Sequence, residues 1–260
     1  MKKEFSFSKT FNKNLLKGKT ILITGATSGI GEKTSFLLNE LGANLILIGR
    51  NDEKLKALKN KMGESNLYIK LDLSKEDSIF QAIKNLPNEF LPLNGAFHSS
   101  GNELIKSLSI TKTKDLYKSI SNSSAVALSI SRAASNSRLF KNNSSIIFMS
   151  SVSSILGTSG MTAYAASKGC IDSMVKSVAI EVAPRNVRVN SIIAGAVISP
   201  MHEKLTEKMS TDSIKKYEIK HPLGFGSCED IANLVVFLIS DASKWITGTS
   251  IVIDGGFSAY

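Results

Sequence analysis

Residues 20–31 read Thr-Ile-Leu-Ile-Thr-Gly-Ala-Thr-Ser-Gly-Ile-Gly. Five strand-forming residues run into a turn with three glycines, and Leu37, Leu38 and Leu41 then recur on one helical face. Strand, glycine-rich turn and amphipathic helix, in that order, form the context in which such glycines hold a dinucleotide. Glycine lets the backbone turn sharply and approach a pyrophosphate closely. The helix N-terminus then offers free N–H groups and the positive end of its dipole to the phosphates. Gly25, Thr27, Ser28, Gly29, Ile30 and Gly31 are therefore candidate cofactor-binding residues. A tight turn without a ligand is the alternative wherever such glycines stand alone.

The same alternation continues to the C-terminus. Strand-like runs occupy 20–24, 44–48, 67–71, 93–97, 145–149, 187–192 and 250–253. Helical periodicity opens at Ile30 and fills 52–62, 75–86, 112–139, 162–183 and 228–240. Strands alternating with helices imply right-handed βαβ units and a parallel sheet. Continuous apolar strands imply helices on both faces. The expected fold is α/β: a single doubly wound Rossmann domain over 18–260, with a seven-stranded parallel sheet. A lobe over 199–224 is inserted before the last helix.

Composition narrows the function. At 260 residues, 42% hydrophobic and 21% charged, the chain reads as globular, not disordered or fibrous. Its two cysteines exclude a disulfide framework and a cysteine-based zinc site, and no other pattern suggests a metal. The longest apolar run, Leu234 to Ile239, falls short of the ~20 residues a bilayer requires. A cytoplasmic protein is expected. The formal net charge is +10, and half of it sits in residues 1–19, where six lysines face only Glu4. A basic leader over 1–17 could touch nucleic acid or anionic lipid. A solvated leader is the simpler reading, since no aromatic platform or arginine cluster accompanies it, and nucleic acid is not an expected partner.

Two further sites carry chemistry. The second strand ends at Gly49-Arg50-Asn51, where an NAD site would place a carboxylate for the ribose hydroxyls. A guanidinium there matches the 2′-phosphate of NADP(H). A surface arginine is the alternative, and Asp52 sits where a helix cap belongs. Farther on, Tyr164 and Lys168 stand at i and i+4 on one helix face, and Ser151 ends the fifth strand, at the ligand-binding edge of such sheets.

With these motifs the chain resembles the short-chain dehydrogenase/reductase family over 18–257. The likeness rests on TGATSGIG, on the Ser151–Tyr164–Lys168 spacing and on the ending PLGFGSCEDIANLVVFLISDASKWITGTSIVIDGG. Within the family it is similar to bacterial 3-oxoacyl-[acyl-carrier-protein] reductases and to ketoreductases that act on sugars or nucleotide sugars in surface-polysaccharide pathways. The resemblance implies an enzyme interconverting a small-molecule carbonyl and its secondary alcohol with NADP(H), assembled as a dimer or tetramer. It implies that Tyr164 donates the proton, Lys168 lowers the acidity barrier and Ser151 binds the substrate oxygen. A free tyrosine titrates near ~10, so working near pH 7 requires about 4 kcal/mol. One ammonium about 4 Å away supplies that at an effective dielectric of 20. The resemblance adds cofactor contacts from Asn51, Asp72, Leu73, Ser99, Ser100, Gly101, Tyr164, Lys168, Gly195, Val197 and Ser199.

The chain departs from the family at several positions. Its Asn-Asn-Ala-Gly is here His98-Ser99-Ser100-Gly101, and its Pro-Gly is Ala194-Gly195. The family's helix asparagine, which anchors a proton-relay water, falls on Ser123, with Asn122 next door. The serine-rich helix is expected to be irregular there, exposing a carbonyl that shares the water with Ser123. His98 is read as a structural hydrogen-bonder beside the cofactor. In the 199–224 lobe Met201, Leu205, Met209 and Tyr217 suit either a lid over a partly apolar pocket or an ordinary amphipathic helix pair. A non-catalytic nucleotide sensor or scaffold on the same fold is the competing class; it has no need of the Ser–Tyr–Lys set.

Overall fold

The computed structural model describes residues 11–259 apart from Glu76, Asn102, Glu103 and Lys208. Its strands and helices follow the expected order. They run β1 Thr20–Thr24, α1 Gly29–Glu40, β2 Asn44–Gly49, α2 Asp52–Met62, β3 Leu67–Lys70, α3 Ser78–Lys84 and β4 Leu93–His98. The chain continues with α4 Thr113–Ser121, α5 Ser124–Ala134, β5 Phe140–Ser151, α6 Thr162–Val182 and β6 Arg188–Ala194. It ends with β7 Val197–Ile198, α7 Pro200–Thr206, α8 Thr211–Glu218, β8 Gly226–Ser227, α9 Cys228–Ile239 and β9 Ser250–Ile253.

Seven strands form one sheet in the order β3-β2-β1-β4-β5-β6-β9, every neighbouring pair parallel. The side chains explain the two covered faces. Ile21, Ile23, Leu45, Leu47, Ile147 and Met149 point to one side, against α1, α2 and α9. Leu22, Ile46, Ile48, Ile146 and Phe148 point to the other, against α3, α5 and α6. Each such side chain, fully buried, stabilises the fold by ~1.5–3 kcal/mol. Strand order reverses between β1 and β4, so their carboxyl ends splay and leave a crevice there.

Three expectations change. The helix read over 112–139 is two helices, α4 and α5, broken at Asn122–Ser123, where Ser123 has φ −134° and ψ −85°. The fifth strand starts at Phe140, not 145. Phe140 pairs with Leu93 before the register shifts, and the exposed Lys141, Asn142 and Asn143 disguise that stretch as a loop. The expected leader over 1–17 packs in part on the domain. Its first ten, with Lys2, Lys3 and Lys9, lie outside the described residues. Leu16, however, is fully buried, its N–H bonds the Leu41 carbonyl at 2.9 Å, and Phe11 and Leu15 pack on the same core.

The 199–224 lobe holds α7 and α8, capped by Ser199 and Ser210. An aromatic cluster ties it down. His221 stacks on Phe257 at 4.5 Å, with Tyr217 and Phe225 around it. His221 Nε2 accepts from the Ala196 N–H at 3.3 Å, and Nδ1–H donates to the Tyr217 carbonyl at 3.1 Å. No helix among the described residues is long and apolar enough to cross a membrane.

Candidate active site

A cleft of about 1000 Å³ opens at the carboxyl ends of β1, β2 and β4. Gly25, Thr27, Ser28, Gly29 and Ile30 line it from the first turn, Arg50, Asp72 and Leu73 from the next two strand ends, and Ser99, Ser100 and Gly101 from β4. Ser199 lines it from the lobe, with Met201, Lys204, Leu205 and Met209. Gly25 has φ +70°, and a Cβ on it would lie 3.0 Å from the Ser100 nitrogen. A side chain there would fill the cradle. Ser28 is the N-cap of α1 but its side chain makes no capping bond, so the first-turn N–H groups remain for an anion at the cleft. These features fit the pyrophosphate of a dinucleotide.

Other expected cofactor residues stand elsewhere. A Cβ on Gly31 would meet the Gly25 carbonyl oxygen at 2.2 Å, so this glycine serves the packing of α1 on the turn. A Cβ on Gly195 would meet Asp254 at 2.8 Å, and Val197 is buried in the β7–β8 pair. Asn51, not Asp52, caps α2, its side-chain oxygen accepting the Lys54 N–H at 2.9 Å. At the end of the neighbouring strand, hydrogen bonds from Ser74, with help from Lys75 and Arg50, hold the Asp72 carboxyl below its ordinary range.

The Tyr–Lys pair projects from α6. Lys168 is buried, and its ammonium donates to the Met149 carbonyl at 2.9 Å and lies 5.7 Å from the centre of the Tyr164 ring. A Cβ on Gly101 would sit 3.4 Å from Nζ, so the bare glycine brings the cleft wall against the ammonium. Burial pushes Lys168 down to about 8, against the opposing pull of Asp172. Ser151 ends β5, two residues beyond Met149, and its Oγ accepts the Ser153 N–H at 3.3 Å. Ser151, Tyr164, Lys168 and Ser123 do not line the cleft itself; Asn122, beside Ser123, does.

His98 reaches the helix break. Its Nε2 lies 3.1 Å from the Ser123 carbonyl and its Nδ1 lies 2.7 Å from Thr24 Oγ1. A carbonyl only accepts, so Nε2 carries the hydrogen, and the neutral ring accepts the Thr24 hydroxyl proton at Nδ1. Burial first, and then the Lys168 charge, push His98 down to about 3, so it stays neutral. The Ser123 carbonyl also accepts the Ala127 N–H at 3.0 Å. With both bonds made, the Ser123 carbonyl is not the one left to share a relay water. What remains there are Ser123 Oγ and Ser124 Oγ, both buried without a protein hydrogen-bond partner. Among the described residues no group of three or more ligating side chains could hold a metal. The sequence reading passed over Asp172, although its i+4 spacing from Lys168 was a usable signal.

A doubly wound sheet with a glycine cradle at its switch point, and a Tyr–Lys pair beside it, defines a dinucleotide-dependent oxidoreductase. The profile of the family described as Enoyl-(Acyl carrier protein) reductase matches residues 25–258. The chain is 35% identical over 242 residues to the 3-oxoacyl-[acyl-carrier-protein] reductase FabG of Rickettsia felis, covering 93% of this chain and 97% of that protein. It is 32% identical over 250 residues to the 2,5-dichloro-2,5-cyclohexadiene-1,4-diol dehydrogenase LinX of Sphingobium indicum, covering 94% and 98%. Its fold matches the crystal structure of the short-chain dehydrogenase/reductase SDR:Glucose/ribitol dehydrogenase from Brucella melitensis with a TM-score of 0.86 at 28% identity, covering 94% and 98%. The chain belongs to the short-chain dehydrogenase/reductase family, oxidoreductases that act on CH–OH and C=O groups with a nicotinamide cofactor.

Proposed function

We propose that the protein reduces the carbonyl of a 3-oxoacyl-type substrate to a secondary alcohol with NADPH, or runs the reverse reaction. The observation that carries this reading is the Tyr164–Lys168 pair, whose ammonium meets the cleft wall at Gly101. Bound at the cleft, the nicotinamide supplies the hydride. Tyr164 delivers the proton to the carbonyl oxygen, and the Lys168 charge stabilises the phenolate left behind. Ser151 donates a hydrogen bond to the oxygen as negative charge develops on it. Ser123 Oγ, buried and without a protein partner, anchors a water that returns protons to Lys168.

Arg50 supports NADP(H), since β2 ends on Gly49 and presents no carboxylate to the ribose. Met201, Leu205, Met209 and Ile105 give the substrate end of the cleft apolar walls, which favours an acyl chain over a sugar. Free thiols at Cys170 and Cys228 fit a cytoplasmic enzyme. Apolar residues exposed on α4, α5 and α6 support a dimer or tetramer.

The test is NADPH oxidation with 3-oxoacyl thioesters and a panel of ketones. Tyr164→Phe should lower kcat by about 10²–10⁴-fold, the worth of a general acid, with cofactor affinity unchanged. Wild type should bind NADPH at least about tenfold more tightly than NADH, as one charge-assisted contact to the 2′-phosphate supplies. Undiminished turnover in Tyr164→Phe overturns the mechanism; equal affinities overturn the role of Arg50.

A further inference from the structure

Asp172 lies one turn beyond Lys168 on α6, so the two share a helix face. Its carboxylate is held from three neighbouring strands. Ser150 Oγ of β5 donates to one oxygen at 2.7 Å, and Ser191 Oγ of β6 donates to the other at 2.6 Å. Ser250 Oγ of β9 stands 3.3 Å from that second oxygen and 2.7 Å from Ser191 Oγ. These contacts lie directly under the reactive groups. Met149, Ser150 and Ser151 are consecutive: the first holds the Lys168 ammonium, the second the Asp172 carboxylate, and the third is the candidate oxyanion donor.

We propose that Asp172 is a positioning residue for proton transfer: it pins the turn of α6 that carries Lys168 to β5, β6 and β9, and its negative charge holds Lys168 as an ammonium at neutral pH. The inference rests on the reading in which Tyr164 and Lys168 carry the proton. Among the described residues, the titratable groups that face Lys168 are Tyr164 on the same helix, His98 from β4 and Asp172. His98 is uncharged, and from α4 the neighbouring contact is Ser119, a hydroxyl bonded to Ser167. Among the described residues Asp172 is therefore the anion that offsets the burial of the ammonium, and the effect of burial opposes it, as the fall of Lys168 to about 8 shows. Three hydroxyl donors for one carboxylate also fix its position, so the charge acts from a set point and not from a mobile side chain.

The decisive variant is Asp172→Asn, which keeps the shape and removes the charge. In kcat/KM against pH, its alkaline limb should move to lower pH by about one unit or more, the usual effect of removing an adjacent opposite charge. Asp172→Ser, also neutral and smaller, serves if the Asn variant does not fold. Ser150→Ala keeps the charge and removes one donor; it should lower the melting temperature and leave the limb in place. Titration of the Lys168 ε-carbon by NMR, assigned by its absence in Lys168→Ala, reads the same charge without turnover. A limb and a Lys168 titration in the neutral variant that coincide with wild type overturn the proposal. If Tyr164→Phe retains turnover, the catalytic reading fails instead, and the NMR titration still decides the role of Asp172.

Discussion

Thr24, His98 and Ser123 form a chain of two hydrogen bonds whose direction is set by a single carbonyl. Histidine holds this place where the family has asparagine, and its ring is long enough to reach from β4 to the broken helix. Because the ring is fully buried beside the Lys168 ammonium, the folded protein does not protonate it until about pH 3. The unfolded chain protonates it near ~6.5. Between these values the unfolded state binds one proton more than the folded state, so stability falls as pH falls. The contribution is fully present above ~6.5 and is progressively lost below it. At pH 4.5 the loss attributable to His98 is about 2–3 kcal/mol. His98→Asn abolishes that titration while keeping a polar group. Urea unfolding of both proteins at pH 7 and 4.5 should therefore show a pH-dependent loss smaller by about that amount in the variant. Identical losses would mean that the ring is hydrated or charged in the native state.

Helices α4 and α5 show what local pattern conceals. Their periodicity reads as one helix over 112–139, because apolar spacing carries no record of one non-helical residue, here Ser123, between two helices. His98, 25 positions earlier in the chain, bonds the Ser123 carbonyl at that break. The glycine turn and the central strands were legible, since three glycines after TILIT and apolar runs such as NLILI act within their own segments. The Tyr164–Lys168 pair was legible because both lie one turn apart on a single helix. His98 was legible as a structural hydrogen-bonder and Asp172 by its spacing from Lys168, but their partners were not, because these are serines and a carbonyl on other elements. The break also sharpens a comparison of two hydroxyls. Ser123 Oγ is buried without a protein partner, so Ser123→Ala should leave stability unchanged or raised. With the carbonyl already engaged, the Ser123 hydroxyl is one of two unpartnered hydroxyls there that suit the proposed relay water, so the same variant should still lower kcat. Ser151→Ala should lower kcat more, by about a hundredfold, the worth of one lost oxyanion donor, ~3 kcal/mol. Steady-state kinetics and melting curves of the two variants decide it; a larger loss of kcat at Ser123 reverses the assignment of the oxyanion donor.

Apolar residues left on the outer surface bear on how copies of the protein meet. Tyr117 of α4, Leu128 of α5 and Ile180 of α6 are 66%, 57% and 79% exposed, on the layer that also carries the Tyr–Lys pair. Scattered apolar residues are ordinary on a surface, but these three lie on helices that pack on one another, with Ser119 bonded to Ser167 between α4 and α6. A two-fold contact through this layer would cover them in both copies and tie the assembly to the helix that holds Lys168. Stable interfaces bury about 1,600 Å² in total, which three such side chains from each copy, with their neighbours, can seed. In an isologous contact every substitution is present twice, once from each partner. Ile180→Lys should therefore act strongly on association and weakly on the fold, because the side chain is largely exposed in the single chain. Wild type at micromolar concentration should sediment as a dimer or tetramer. Ile180→Lys and Leu128→Lys should each shift it to smaller species while the circular dichroism spectrum stays unchanged. A wild-type monomer would remove the proposed assembly. A lysine variant that retains the wild-type mass would place the contact elsewhere, with Trp245, 97% exposed beside the β9 edge, the next position to test.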